Sequence, residues 1–295
     1  MVVIDAALVR GLLADQFPDW AGLPVSAVEP GGWDNRTFRV GEAMLARLPS
    51  ALHYAAQVDK EQQWLPRLAP GLPVAIPRPL ARGEPGRGYP MAWSILAWLP
   101  GEPARAADGG ERLGADIAAF LNALWRAPAL EGPAAGAHSF HRGGDLAVYE
   151  AEALEAFAAL EEVIDAPSAR AAWRRARASR WTGASVWLHG DMAAGNLLLA
   201  EARLVAVIDF GCCAVGDPAC DLTIAWTLLD AAGAGAFRRG VDLDDGTWDR
   251  ARGWALWKAA ITLRRERGRR PEAAEQQRAL IARILDEPPG ATGPA

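Results

Sequence analysis

Residues 187–211 read WLHGDMAAGNLLLAEARLVAVIDFG. Short apolar runs alternate here with turn residues, so the stretch reads as a Leu-rich hairpin of brief strands. It stands as an island, because from Gly101 onward the chain is otherwise helical in pattern. Leu113, Ile117, Phe120, Leu121 and Leu124 recur at intervals of three and four and form one apolar stripe. Further helices are expected at about 146–165, 168–180, 218–232, 247–268 and 272–286.

The first 100 residues have a different character. A helix over Asp5–Phe17 precedes strand-like pieces at Val25–Glu29, Thr37–Val40 and Met44–Leu48. Turn signals at Pro30-Gly31-Gly32 and Val40-Gly41-Glu42 separate these pieces and make a β-meander. A helix from about His53 to Leu68, a Pro-punctuated segment and an apolar strand MAWSILAWL follow. A β-rich first third, a break at Leu99-Pro100-Gly101 and a helical remainder predict a two-lobed α+β protein with its cleft between the lobes. The expected division is a lobe over 1–98, a hinge at 99–102, a helical lobe over 103–288 and a disordered Gly/Pro-rich tail at 289–295.

The hairpin carries the chemistry. Phosphoryl transfer to a hydroxyl needs a carboxylate to accept the attacking proton, an amide oxygen on a magnesium ion and a second carboxylate on the metal. Asp191, Asn196 and Asp209 supply those three groups in that order, with a D-x-x-x-x-N spacing and a following D-F-G. Either piece alone is more often a turn than a site; the two in order across a hairpin are far more specific.

On these residues the sequence is similar to a known group. LHGDMAAGNLLL followed by VIDFGCCAVGDPACDL resembles the aminoglycoside phosphotransferase family of small-molecule kinases, which has the protein-kinase-like fold. The resemblance runs from about residue 22 to residue 265. It implies that Asp191 is the catalytic base, that Asn196 and Asp209 bind Mg²⁺, and that Asp217 and Asp221 brace the region behind the site. Read from the residues alone, Asp217 before Pro218 caps a helix, and Asp221 hydrogen-bonds backbone or holds the catalytic loop. Gly190 stands where protein kinases have the arginine of H-R-D, and only Cys212–Gly216 separate the D-F-G glycine from Asp217. That interval leaves no room for a phosphorylated activation loop, which favours a constitutive enzyme acting on small molecules.

A nucleotide needs phosphate donors and a strand cation held by a helix carboxylate. Gly31 and Gly32 permit close backbone approach, and Asn35 could add an amide or form an Asx-turn. Of 31 basic residues only Lys60 and Lys258 are lysine. Arg47 falls where the phosphate cation belongs, with Glu61 as its partner; Lys60 should point elsewhere on its helix. The resemblance implies ATP as donor and places the backbone of Ala97 and Leu99 at the adenine.

The acceptor is expected to be a small molecule, an aminoglycoside first by resemblance and hence cationic. Kinases of amino alcohols, sugars or macrolides, or a catalytically weak ATP-binding protein, are the alternatives. Ammonium groups would call for carboxylates, and Asp230, Asp242, Asp244, Asp245 and the Glu150–Glu162 helix are candidates. Trp226, Trp248, Trp254 and Trp257 could stack on a sugar ring or belong to the core. His189 should orient the catalytic loop, and Cys212, Cys213 and Cys220 should be buried fillers. Across 295 residues, 51% hydrophobic and 23% charged with a net charge of −5, the composition is that of a folded protein and argues against a nucleic-acid binder. The N-terminus lacks the basic region of a signal peptide, and no apolar run is long enough to span a membrane, so a cytoplasmic protein is expected.

Overall fold

The computed structural model describes residues 3–29, 31–32 and 34–286. Asp5 caps helix α1 (Ala6–Gln16) by accepting from the Leu8 amide at 2.8 Å, and the buried Leu8, Val9, Leu12 and Leu13 turn one face of it inward. Strands β1 (Val25–Ala27), β2 (Asn35–Val40) and β3 (Met44–Pro49) form the expected meander, with β1 shorter and β2 two residues longer than the sequence pattern suggests. Helix α2 (Ala56–Leu68) follows a 3₁₀ turn at Leu52–Tyr54. The Pro-punctuated segment contains an unforeseen strand, β4 (Pro79–Gly83), and β5 (Trp93–Ala97) lies in the predicted apolar run. The five strands form one antiparallel sheet in the order β1-β2-β3-β5-β4. Pro79 opens β4 at the sheet edge, where a missing amide costs least.

Beyond Gly101, β6 (Glu102–Pro103) precedes α3 (Glu111–Arg126), whose stripe Leu113, Ile117, Phe120, Leu121 and Leu124 is buried as predicted. Helices α4 (Glu150–Ala159) and α5 (Ala166–Ala178) occupy the next expected helical stretches, α4 in shortened form after a 3₁₀ turn at Leu146–Tyr149. Strands β7 (Val186–Leu188), β8 (Leu197–Ala200), β9 (Arg203–Val207) and β10 (Ala214–Gly216) build the island: β8 and β9 form the hairpin, β6 pairs with β8, and β10 pairs with β7.

The expected helix over 218–232 is not continuous. A 3₁₀ segment (Pro218–Thr223) and a single turn α6 (Ile224–Thr227) end at Leu228, and Asp230 caps a separate helix, α7 (Ala231–Val241). The Gly-rich sequence of α7 gives it weak intrinsic propensity. Its packing supplies the reason for the glycines: a Cβ on Gly233 would lie 2.0 Å from the Gly109 carbonyl, and one on Gly114 of α3 would lie 2.1 Å from the Gly233 carbonyl. Helices α8 (Asp245–Glu266) and α9 (Pro271–Asp286) complete the described chain. The expected disordered tail at 289–295 lies outside the described residues.

Two apolar clusters match the two parts of the chain. The smaller joins α1 to the sheet through Leu12, Phe38, Leu48, Trp93 and Ile95. The larger fills the helical part, and α2 contributes Trp64, Leu65 and Leu68 to it, with Trp64 packed 5.0 Å from Trp187 on β7. Helix α2 is therefore anchored to the hairpin region while standing beside the sheet, which positions its Glu61 between the two. Among the described residues, no helix is long and apolar enough to cross a membrane.

Candidate active site

The catalytic loop begins where β7 ends. His189 is fully buried; its Nε2 lies 3.0 Å from the Ile208 carbonyl and its Nδ1 accepts from the Asp191 amide at 3.2 Å. With both ring nitrogens engaged by the backbone, His189 orients the loop, as expected. The buried Asp221 accepts from the amides of His189 (2.8 Å) and Gly190 (2.7 Å) and so holds the loop from behind. Burial pushes the Asp221 carboxyl above its ordinary value, against the pull of His189 and the two amides. Asp217 accepts from the Ala219 amide at 3.0 Å, the capping role expected of it, and also pairs with the buried Arg250 at 2.6 Å.

Gly190 explains the departure from H-R-D. Its φ is +83°, and a Cβ there would lie 2.5 Å from the Cys212 carbonyl, so no side chain fits. Asn196, on a 3₁₀ turn before β8, donates Nδ2 to the Asp191 carbonyl at 2.8 Å and approaches Asp191 Oδ2 at 3.4 Å. Its amide oxygen has no part in these bonds. The Ile208 amide donates to the Asn196 carbonyl at 2.8 Å, tying the loop to the residue before Asp209. Asp209 itself is held at φ +65°, a left-handed conformation uncommon for a residue with a side chain.

Arg47 completes the arrangement. It sits on β3 opposite Thr37 on one side and Ser94 on the other, with 8% of its surface exposed. Its Nη1 donates to both oxygens of Glu61 (2.9 and 3.2 Å) and its Nη2 to Asp209 Oδ1 (2.6 Å). Burial disfavours the Arg47 charge, but the two carboxylates outweigh it and keep the guanidinium protonated. Burial raises the Glu61 carboxyl above its usual value despite Arg47. At Asp209 the balance is reversed: burial opposes ionisation, yet Arg47, His189 and the Gly211 amide hold the carboxyl below its usual value. Lys60 points away from Arg47, as expected, and its ammonium donates to the Gly211 carbonyl at 2.7 Å and the His138 carbonyl at 3.2 Å. That brace on the D-F-G glycine had no signal in the sequence.

The remaining nucleotide-side residues are less closely joined. Gly31 and Gly32 are exposed, and a Cβ on Gly31 would meet nothing within 4 Å; the neighbouring Pro30 and Trp33 lie outside the described residues. Asn35 is buried at the start of β2 opposite Pro49. Asp34, not singled out in the sequence, has its carboxyl raised by burial, against a hydrogen bond from Gln57, with the charges of Asp209 and Asp191 adding to the rise. The Ala97 amide already donates to the Arg78 carbonyl at 2.9 Å, so that position offers a ligand its carbonyl but not its amide. No group of three or more His, Cys, Asp or Glu side chains fit to hold a metal occurs among the described residues. One carboxylate, one free amide oxygen and the oxygens of a bound phosphate suffice for Mg²⁺, so the donor set fits that ion.

The model of the phosphotransferase enzyme family matches residues 27–254, most of the chain. The chain belongs to this family. A comparison with curated protein sequences finds no significant match. Among solved structures, the phosphotransferase is similar to the GDP and kanamycin complex of APH(2")-IIIa, at 19% identity and a TM-score of 0.71 over 94% of this chain and 98% of that one. It also resembles macrolide 2'-phosphotransferase MphH from Brachybacterium faecium, at 21% identity and 0.58 over 96% and 98%. The gentamicin complex of APH(2")-IIa gives 17% and 0.60 over 97% and 98%. At these identities the likeness establishes the protein-kinase-like fold, and family membership makes the chain a phosphotransferase with a hydroxyl acceptor.

On the acceptor side, the carboxylates expected to meet a cation do other work. Asp230 and Asp244 cap α7 and α8, Asp242 ends α7 in a left-handed conformation, and the exposed Asp245 pairs with Arg238. Glu150 pairs with Arg177, Glu155 with Arg264, and Glu152 accepts from the Trp257 indole at 2.8 Å. Trp226, Trp248, Trp254 and Trp257 are each at most 4% exposed and belong to the core. The His53 ring lies tilted against Tyr54, His138 is held by Lys60, and His141 lies against Tyr149. The three cysteines are buried free thiols, with Cys212 and Cys213 pushed up to about 12 by burial, and so act as fillers. What does adjoin the catalytic loop is Arg142, whose Nη1 donates to the Gly190 carbonyl at 3.1 Å.

Proposed function

We propose that the phosphotransferase moves the γ-phosphoryl group of ATP to a hydroxyl of a small molecule with Asp191 as the base. One observation carries this reading: the loop residues Asp191 and Asn196 are hydrogen-bonded to each other, and the loop is tied through Ile208 to Asp209, so the three required groups form one rigid unit. Asp191 accepts the proton of the attacking hydroxyl, and the His189 ring and the Asp221 carboxylate fix the loop that carries it. Asn196 and Asp209 are the residues that would hold Mg²⁺, which when bound neutralises charge on the phosphates.

Arg47 serves in place of a strand lysine, held by Glu61 and poised to contact phosphate with its planar fork. The Ala97 carbonyl and the Leu99 backbone frame the adenine, and Gly31, Gly32 and Asn35 form the turn nearest the phosphates. The hinge at 99–102 separates a nucleotide lobe (1–98) from a helical lobe (103–288) that presents the base. A coupled assay for ADP release against aminoglycosides, macrolides, amino alcohols, sugars and hydroxy acids tests the reading. Acceptor-dependent release with at least one class is expected, and silence across all of them contradicts it.

A further inference from the structure

Beside Asp191 the acceptor face is basic. Arg142 is anchored to the Gly190 carbonyl, and its guanidinium lies 5.8 Å from the Trp254 ring and 5.5 Å from the Trp257 ring. Lys258 extends from α8 along the same Trp257 ring, its ammonium 6.0 Å from the centroid, and Tyr149 stacks on that ring at 3.9 Å. Of the chain's two lysines, Lys60 is taken up by Gly211 and His138, and Lys258 is the one beside Trp257.

Two features set this pair of cations apart. Among the described residues neither forms an ion pair, whereas the buried Arg47 and Arg250 each have a carboxylate partner. The Nε of Arg142 is also buried with no hydrogen-bond partner, and an unmatched donor of this kind is costly unless something fills the site. Burial, together with the like charges of Arg142 and Arg265, depresses the Lys258 ammonium against the pull of Asp191. An anion arriving here would relieve that strain on the charge; a polycation would add to it.

The basic character continues along α8. One helical turn past Lys258 opens a groove of about 550 Å³ lined by Glu152, Ile261 and four arginines between 264 and 269, of which Arg264 pairs with Glu155 and Arg265 with Glu266. Its one carboxylate, Glu152, is already bonded to Trp257. The acids first considered for a cationic acceptor, Asp242, Asp244 and Asp245, lie at the other end of α8, roughly 20 Å from Lys258 at 1.5 Å of rise per residue.

We propose that the acceptor is a hydroxyl compound that also bears an anionic group, a carboxylate or a phosphate, bound by Arg142 and Lys258 beside Asp191. This rests on the kinase reading above. The acceptor's hydroxyl oxygen bonds to the γ-phosphorus of the nucleoside triphosphate as the bond from that phosphorus to the β,γ-bridging oxygen breaks. The hydroxyl proton passes to Asp191, and the nucleoside diphosphate departs with the bond's electron pair. The anionic group pairs with the two cations, and its carbon body lies against the partly buried Tyr149.

Isothermal titration of the full chain with glucuronate, glucose 6-phosphate, glycerate, glucose and kanamycin, each with ADP and Mg²⁺ present, tests this directly. Release of ADP from ATP is followed with the same compounds. At least one acid should bind tenfold or more tightly than glucose, with the uronate and the sugar phosphate distinguishing carboxylate from phosphate. Lys258→Gln should fold normally by circular dichroism and weaken the acid tenfold or more, and Lys258→Glu should weaken it further. Failure of every acid to bind, or binding unchanged in Lys258→Glu, overturns the proposal. Kanamycin phosphorylated while all acids remain inert overturns it too and leaves the kinase reading standing. Acid binding that depends on Lys258 but yields no transfer upholds the anion site at Arg142 and Lys258 and overturns the kinase reading, and with it the acid's role as acceptor.

Discussion

Arg47 donates to Asp209 at 2.6 Å across 162 residues of sequence, and the same guanidinium holds Glu61 at 2.9 Å. One side chain on a strand of the sheet therefore sets the geometry of both a helix carboxylate and the D-F-G carboxylate. Arg47→Ala leaves Glu61, 3% exposed, without its partner. Loss of one member of a buried pair costs about 3–5 kcal/mol, so urea denaturation should show a drop of that order. Titration of the folded fraction with ATP should show affinity reduced about tenfold or more, and unchanged affinity would show that Arg47 does not contact phosphate.

The depressed Asp209 carboxyl makes a prediction in pH. A group whose folded value lies below its ordinary one contributes stability that is full above the ordinary value, 3.8 for Asp209, and is lost as the pH falls through the folded value. The stability difference between wild type and Asp209→Asn should be flat from about pH 6 to about pH 5 and should shrink below 3.8. Denaturant titrations across that range supply the measurement, and a difference that grows on acidification would contradict the account.

Gly190→Ala places a methyl group where 2.5 Å separates it from the Cys212 carbonyl, at a φ of +83°. Either the loop shifts or the variant unfolds more readily. The expected result is a loss of at least about 1–3 kcal/mol from the strained φ alone, with phosphoryl transfer falling by more than the folded fraction does. Wild-type transfer in this variant would show that loop position is not critical.

Asp221→Asn replaces one acceptor oxygen with an NH₂ facing the His189 or Gly190 amide. One buried N–H then loses its partner, at about 1–3 kcal/mol. Thermal denaturation measures the stability loss, and kcat should fall with KM for ATP little changed, since Asp221 acts through the loop and touches no nucleotide-side residue.

These cases also show what the sequence could and could not reveal. The spacing of Asp191, Asn196 and Asp209 was legible because local hairpin geometry brings the groups together, and the Arg47–Glu61 pair was legible because strand and helix are consecutive. The two-part fold followed from a change in hydrophobic periodicity near Gly101. Hidden from it were relationships between residues distant in the chain. Lys60 reaches Gly211 across 151 residues, and Arg142 reaches Gly190 across 48. Helix α7 was obscured because its glycines serve contact with α3 at the expense of propensity. The acidic candidates misled for a related reason: a carboxylate before a helix is as readily a cap as a ligand, and Asp230 and Asp244 are caps.

The central claim is that Asp191 accepts the proton of the attacking hydroxyl, and the most direct measurement is phosphoryl transfer by Asp191→Asn, with ATP binding followed in parallel by calorimetry. Transfer should fall by about 10²–10⁴-fold while ATP affinity changes little. Transfer at the wild-type rate would contradict the assignment.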